Sequence, residues 1–298
     1  MSIQAGSGPP VGDLGRVEGG STVLRVMVGG QLRRFREAAQ VTPDEAAYAI
    51  RASRSKISRM ENGRVGFKTR DVGDLLTLYR VNDRTRAEVM ALAQRASVPG
   101  WWAQYSDIVA DWFEAYLGME AAASLIRSFE GQFVHGLFQT EAYARAVTML
   151  GYRAAPAEEI DRRVSMRMKR QEQVGRPGAP HVWSVLDEAV LRRPVGGPEA
   201  MRAQLDRLIE AARLPDVTIQ VVPFGRGGHA AGGGSFTVLR FAEPDVPDVV
   251  YIEQLTSALY LEKRDDVEHY LEVMNVLGAQ ALSPAATERL IRQIIRET

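Results

Sequence analysis

The sequence predicts an α+β protein in two parts: an all-α N-terminal domain of five short helices, then an α+β C-terminal domain. Three observations carry that expectation. Between residues 23 and 95 apolar residues recur at steps of three and four, the period of one helix face. At Val98-Pro99-Gly100 the pattern breaks. Beyond it, alternating segments such as Val217-Thr218-Ile219-Gln220-Val221 stand among helical ones. The length of 298 residues suits two ordinary domains. The expected boundaries are 1–20 for a disordered leader rich in Gly and Pro, 21–97 for the helical domain and 98–298 for the α+β domain.

In the first domain, Val28, Leu32, Phe35 and Ala39 mark one helix face, with Gly29 and Gly30 weakening its start. Thr42-Pro43-Asp44-Glu45 opens a second helix: Thr42 caps, Pro43 suits the first helical position, and Glu45 completes a capping box. It runs about two turns, to Ile50. Ser53 caps a third helix from Arg54 to Met60, stopped by Glu61-Asn62-Gly63. Val72, Leu75, Leu76 and Tyr79 mark a fourth. Asp83 caps a fifth, ending near Arg95.

In the second domain, the aromatic stretch Trp101, Trp102, Tyr105, Trp112, Phe113 and Tyr116 offers apolar area that could join the two domains. Helical patterns follow at 105–117, 141–150 and 158–173. Strands are expected at His181–Leu186, Val217–Val222, Phe236–Phe241 and Val249–Glu253, about four in all. Helices are expected around Met201–Ala212, Val267–Leu277 and Leu290–Ile295.

Hydrophobic residues make up 45% and charged residues 25%, so a packed core is expected. The absence of cysteine excludes disulfides, thiolate metal sites and cysteine nucleophiles. No apolar run approaches the ~20 residues that span a bilayer, and the first residues lack a signal pattern. A cytoplasmic protein with no membrane contact is expected. The net charge of zero conceals an asymmetry. Residues 21–95 hold 15 basic and 8 acidic side chains, and within 51–70 seven basic residues face one Glu. Such a segment suits a polyanion.

The segment 43–63, PDEAAYAIRASRSKISRMENG, has the layout of a helix-turn-helix. Ala46 and Ala47 are small where two helices must cross, and Ile50 and Ile57 fill the angle between them. The first turn after Ser53 faces outward, where N-terminal residues of a second helix reach base edges in a major groove. Base contacts are expected from Arg54, Ser55, Lys56 and Arg59. Phosphate contacts are expected from Thr42, Asn62, Arg64 and Lys68. The ending Ser55-Lys56-Ile57-Ser58-Arg59-Met60-Glu61-Asn62-Gly63 resembles the phage-repressor-like helix-turn-helix of the Xre family over residues 23–95. Two departures stand out. Arg51-Ala52 replace the usual turn Gly, and Thr42-Pro43-Asp44 lacks the Gln that touches phosphate in the family.

The segments 128–147, 185–205, 218–241 and 247–262 resemble the C-terminal domain that follows an Xre head in WhiJ-like actinobacterial regulators. The resemblance implies a double-stranded DNA partner and a transcription regulator or repressor. It also implies an antitoxin-like setting with a small companion protein encoded nearby. The short reach of one head over DNA calls for two half-sites, hence a homodimer held by the second domain. That domain is also expected to sense a small-molecule effector or the companion. An antitoxin-like interaction protein that autoregulates is the alternative, and an enzyme the third class.

The run Gly225–Gly234 lacks the Gly-Lys-Ser/Thr of a phosphate loop and leads into a strand. It reads as a mobile hairpin loop or a lid over a pocket, with Arg226 and His229 as its polar groups. The four histidines are scattered, so no metal site, no cofactor and no catalytic residue is expected. The basic helix over 158–176 reads as a solvated face, with Ile160, Val164 and Met168 inward.

Overall fold

The computed structural model describes residues 21–63, 65–243 and 246–298. The leader expected over 1–20 and Arg64 lie outside the described residues. The chain divides between Val98 and Pro99 into two compact units. The fold is α+β, with an all-α first unit.

The first unit contains α1 (Ser21–Ala38), α2 (Pro43–Ala49), α3 (Arg54–Glu61), α4 (Thr69–Leu78) and α5 (Asp83–Ala96). Val28, Leu32, Ile57, Met60, Val72, Leu76, Val89 and Leu92 are buried and form its interior. The cap of α5 is Asn82, whose side chain accepts the Thr85 N–H, and Asp83 is the first helical residue. Helix α1 is longer than the periodicity predicts, and Gly29 and Gly30 lie within it rather than at its start. Gly29 marks the crossing with α3: a Cβ there would stand 2.4 Å from the Met60 carbonyl oxygen and 2.7 Å from that of Glu61. Gly30 has nothing within 4 Å of the same position. Gly29→Ala should therefore destabilise the first unit by about 1–3 kcal/mol or more, because backbone must move. Gly30→Ala should stabilise it by roughly 1 kcal/mol through helix propensity. Urea unfolding of the two variants checks the pair; equal effects would contradict the close crossing.

The second unit contains α6 (Asp111–Glu120), β1 (Leu125–Glu130), α7 (Glu141–Gly151), α8 (Ala157–Gln171), β2 (His181–Asp187) and α9 (Glu188–Arg192). There follow α10 (Pro198–Ala211), β3 (Val217–Val222), β4 (Phe236–Arg240), β5 (Val249–Glu253), β6 (Ala258–Leu261), α11 (Arg264–Gln280) and α12 (Pro284–Glu297). The sheet has six strands in the order β3-β2-β1-β4-β5-β6, not about four. Strands β1, β2 and β3 are parallel, and β4, β5 and β6 continue the sheet in antiparallel pairs. One face carries Phe129, Val185, Phe236, Val238 and Val250, which pack on Val267, Met274 and Leu277 of α11. The other carries Ser128, Thr237 and Tyr251 in one row. There Ser128 and Ser184 share a buried hydroxyl hydrogen bond of 3.0 Å, and the Tyr116 ring lies 4.2 Å from that of Tyr251.

The aromatic stretch packs inside the second unit. Trp102 is buried with Leu117 and Met166, flanked by Trp101, Tyr105 and Phe113. It forms part of the core of that unit. Helix α8 also differs from a purely solvated face. Ile160 and Val164 are buried as expected, but so are Met166 and Arg170. Arg170 makes a two-pronged ion pair with buried Glu120, its Nε and Nη2 each 2.5 Å from a carboxylate oxygen.

Candidate nucleic-acid interface

Local chemistry builds the two helices of the motif. Thr42 Oγ1 accepts the Glu45 N–H at 3.2 Å, and Glu45 Oε2 accepts the Thr42 N–H at 2.7 Å. This is a complete capping box with Pro43 at the first helical position. Ala46 and Ala47 are buried, which lets α2 and α3 approach. In the turn, Arg51 takes φ +52°, the left-handed region where glycine is at ease and a side chain is not. The position thus keeps the backbone shape of the usual turn Gly without its residue. Ser53 then accepts the Lys56 N–H at 3.2 Å and starts α3 at Arg54.

Helix α3 buries Ile57 and Met60 and exposes Arg54, Ser55, Ser58, Arg59 and Asn62. At 3.6 residues per turn these five polar residues share one side of the helix. The opposite side is fastened from behind. Arg36 of α1 donates from Nε and Nη2 to the Glu61 carboxylate at 2.6 and 3.0 Å. Arg54 Nη1 lies 3.8 Å from Asp44 Oδ2, a loose contact between two exposed groups. Arg59 Nε reaches the Ser55 carbonyl oxygen at 3.4 Å, and Asn62 Nδ2 donates to the Ser58 carbonyl at 2.8 Å.

Two expected contacts are placed differently. Lys56 is half-buried, and its Nζ lies 2.6 Å from Asp71 Oδ2, itself buried on α4. That charge is neutralised within the unit and anchors α3 to α4. Thr42 has both its N–H and its hydroxyl engaged with Glu45. Lys68 is exposed at the start of α4. The expected contact at Arg64 lies outside the described residues. Ser58 was not among the expected contacts, although its spacing of three from Ser55 puts it on the same helix side.

In the second unit the Gly-rich loop borders a cleft, while Arg226 and His229 make their hydrogen bonds elsewhere. His229 Nδ1 accepts the Ala231 N–H at 3.3 Å, so Nε2 carries the proton and lies 3.3 Å from Asp187 Oδ2. Arg226 Nε donates to the Gln280 carbonyl at 3.1 Å. A cleft of about 190 Å³ beside the loop is lined by Gly233, Gly234, Phe236, Ile252, His269 and Tyr270, and by neither expected residue. Asp187 ends β2 and caps α9 by accepting the Ala189 N–H at 2.7 Å. On α8, Arg162 and Arg163 pair with Asp107 and Glu159. Among the described residues no three His, Asp or Glu side chains gather as a metal site. Among them, too, no helix is long and apolar enough to cross a membrane.

Residues 28–89 match the family described as a helix-turn-helix domain. This match and the geometry of α2 and α3 support a DNA-binding regulator. No curated protein matches the chain, and no solved structure does. Residues 113–293, more than half of the chain, match the family described as a domain of unknown function (DUF5753). The chain belongs to the DUF5753 family.

Proposed function

We propose that the protein is a sequence-specific transcription regulator of the Xre, WhiJ-like type, binding DNA as a homodimer in the cytoplasm. The observation that carries this reading is the solvent side of α3, where Arg54, Ser55, Ser58, Arg59 and Asn62 stand together with no apolar residue among them. Arg54 and Arg59 are the guanine-reading groups, since a guanidinium meets the O6/N7 edge with two hydrogen bonds. Ser55 and Ser58 donate or accept between them. Lys68, Asn62 and Arg64 meet phosphate and fix register. Lys56 acts through Asp71 by holding α3 in place. The second unit supplies the dimer contact, because one head reads too few base pairs for useful specificity, and it senses a small effector.

The test is the salt dependence of binding by the full chain to a duplex selected from random sequence. Each neutralised phosphate adds about −0.9 to the slope of log K against log salt. Two basic segments on one operator should give a slope steeper than roughly −4. A flat response would mean that the basic segment does not face DNA.

A further inference from the structure

The cleft beside the Gly-rich loop belongs to the second unit and is built from the sheet, α11 and the loop. Phe236 lies two residues from Val238 on β4, and Ile252 lies two from Val250 on β5, so both stand on the face that packs on α11. Tyr270 and Val273 of α11 pack against the same apolar cluster. The Phe236 and Tyr270 rings meet edge to face, with centroids 4.9 Å apart and planes at 68°. Phe236 is buried, whereas Ile252, Tyr270 and Val273 are half-buried where the cleft opens.

The wall is the segment 230–235, and it is held from behind. The Gly234 N–H donates to the carbonyl of buried Ala231 at 3.2 Å, and Ser235 Oγ accepts the Gly131 N–H at 3.0 Å. Gly234 takes φ +101°, so the turn needs its glycine. Gly233 is outside that left-handed region, and a Cβ there would have nothing within 4 Å. The wall is thus set by the chain's own bonds, as in pre-formed ligand pockets. Its size and chemistry define what fits. An apolar cavity of ~150 Å³ holds a benzene ring, and drug-sized molecules take roughly 300 Å³ or more. The cleft, at about 190 Å³, therefore suits one ring with a small substituent. Its lining contains no Lys, Arg, Asp or Glu, so a full charge entering it would lose water without gaining an opposite charge. Among the described residues the Tyr270 hydroxyl makes no hydrogen bond, and Ser235 keeps its own proton to donate.

We infer that this cleft binds a small neutral aromatic molecule carrying one hydroxyl group, in the simplest case a free phenol. Its ring packs on Phe236, Ile252 and Tyr270, and its hydroxyl bonds that of Tyr270. The inference rests on the reading that the second unit senses a small effector, and it names the chemistry of that effector. The site itself uses the second unit alone and stands whether or not α3 reads DNA.

Calorimetric titration of the full chain with p-cresol tests this. Binding should show a Kd below about 1 mM. Toluene, which lacks only the hydroxyl, should bind roughly three- to tenfold more weakly. Tyr270→Phe keeps the packed ring; it should weaken p-cresol by the same factor and leave toluene unchanged. Equal weakening of both would overturn the role given to the hydroxyl. Benzoate and benzylammonium, which keep the ring and add a charge, should bind about tenfold or more weakly than p-cresol. Gly233→Leu places a side chain in open space at the wall, so urea unfolding should stay unchanged while p-cresol and toluene both lose about tenfold or more in affinity. No heat from p-cresol at about 10 mM, or p-cresol binding unchanged in Gly233→Leu, would overturn the site. Operator affinity measured in saturating p-cresol tests the effector reading separately. A change supports it, and an unchanged affinity despite binding would contradict that reading while the site stands.

Discussion

Arg170→Ala is expected to destabilise the second unit by about 3–5 kcal/mol, the range for breaking one half of a buried ion pair. Glu120 is 1% exposed, and its carboxylate takes both prongs of Arg170, the Tyr116 hydroxyl at 2.9 Å and the Gln173 amide at 2.9 Å. Removing the guanidinium leaves a carboxylate that water cannot reach. Burial alone would raise the Glu120 pKa, but the contact with Arg170 outweighs it and holds the group below its ordinary value. A depressed carboxylate contributes stability above its unfolded pKa and loses it as pH falls through the lower folded value. The wild type should therefore hold this contribution at neutral pH and lose it in acid, whereas Arg170→Ala should lose it at neutral pH. Urea unfolding at pH 7 measures the cost. A change below about 1 kcal/mol would show that the pair does not clamp α6 to α8. Replacing both partners by apolar residues of similar volume should recover most of the loss.

The sequence pattern of α8 places Arg170 on a solvated face, and the structure buries it. A basic helix with interspersed acids has the composition of a solvated face, and composition cannot tell which charge turns inward. Only the approach of α6, fifty residues earlier in the chain, supplies the partner. The same holds at Gly29, whose role depends on the α3 backbone crossing it. Features set within a few residues were legible: the Thr42 capping box, the Ser53 cap and the apolar pair Ile50 and Ile57. Strand β1 escaped because it is central. Leu125-Ile126-Arg127-Ser128-Phe129-Glu130 mixes apolar and polar residues on both faces instead of alternating cleanly. Strand β6 and helix α9, four and five residues long, are too short for a period to show. The exposed side of α3 was legible from spacing, but the diversion of Lys56 to Asp71 was not, since Asp71 lies in a different helix.

Arg54→Ala should cost about 1–3 kcal/mol against the preferred base at one position of each half-site and relax the preference there. Arg54 is exposed at the first residue of α3, directly after the Ser53 cap, with only the loose Asp44 contact to hold it back. Its guanidinium is therefore free to pair with a base edge. Lys68→Ala should act differently. Lys68 stands at the start of α4, outside α3, and in the proposed reading its charge meets phosphate, which carries no sequence information. Its loss should weaken all sequences alike and flatten the salt slope by about 1. Ser58→Ala should shift the preference at a position next to that of Arg54, since the two lie on one side of α3.

The most direct measurement is selection by the full chain from a randomised operator library, run in parallel for the wild type, Arg54→Ala and Lys68→Ala. If α3 is the reading helix, Arg54→Ala loses preference at one position per half-site, and Lys68→Ala selects the wild-type sequence with lower affinity. Uniform weakening by Arg54→Ala together with a changed preferred sequence for Lys68→Ala would contradict the placement of α3 in the groove.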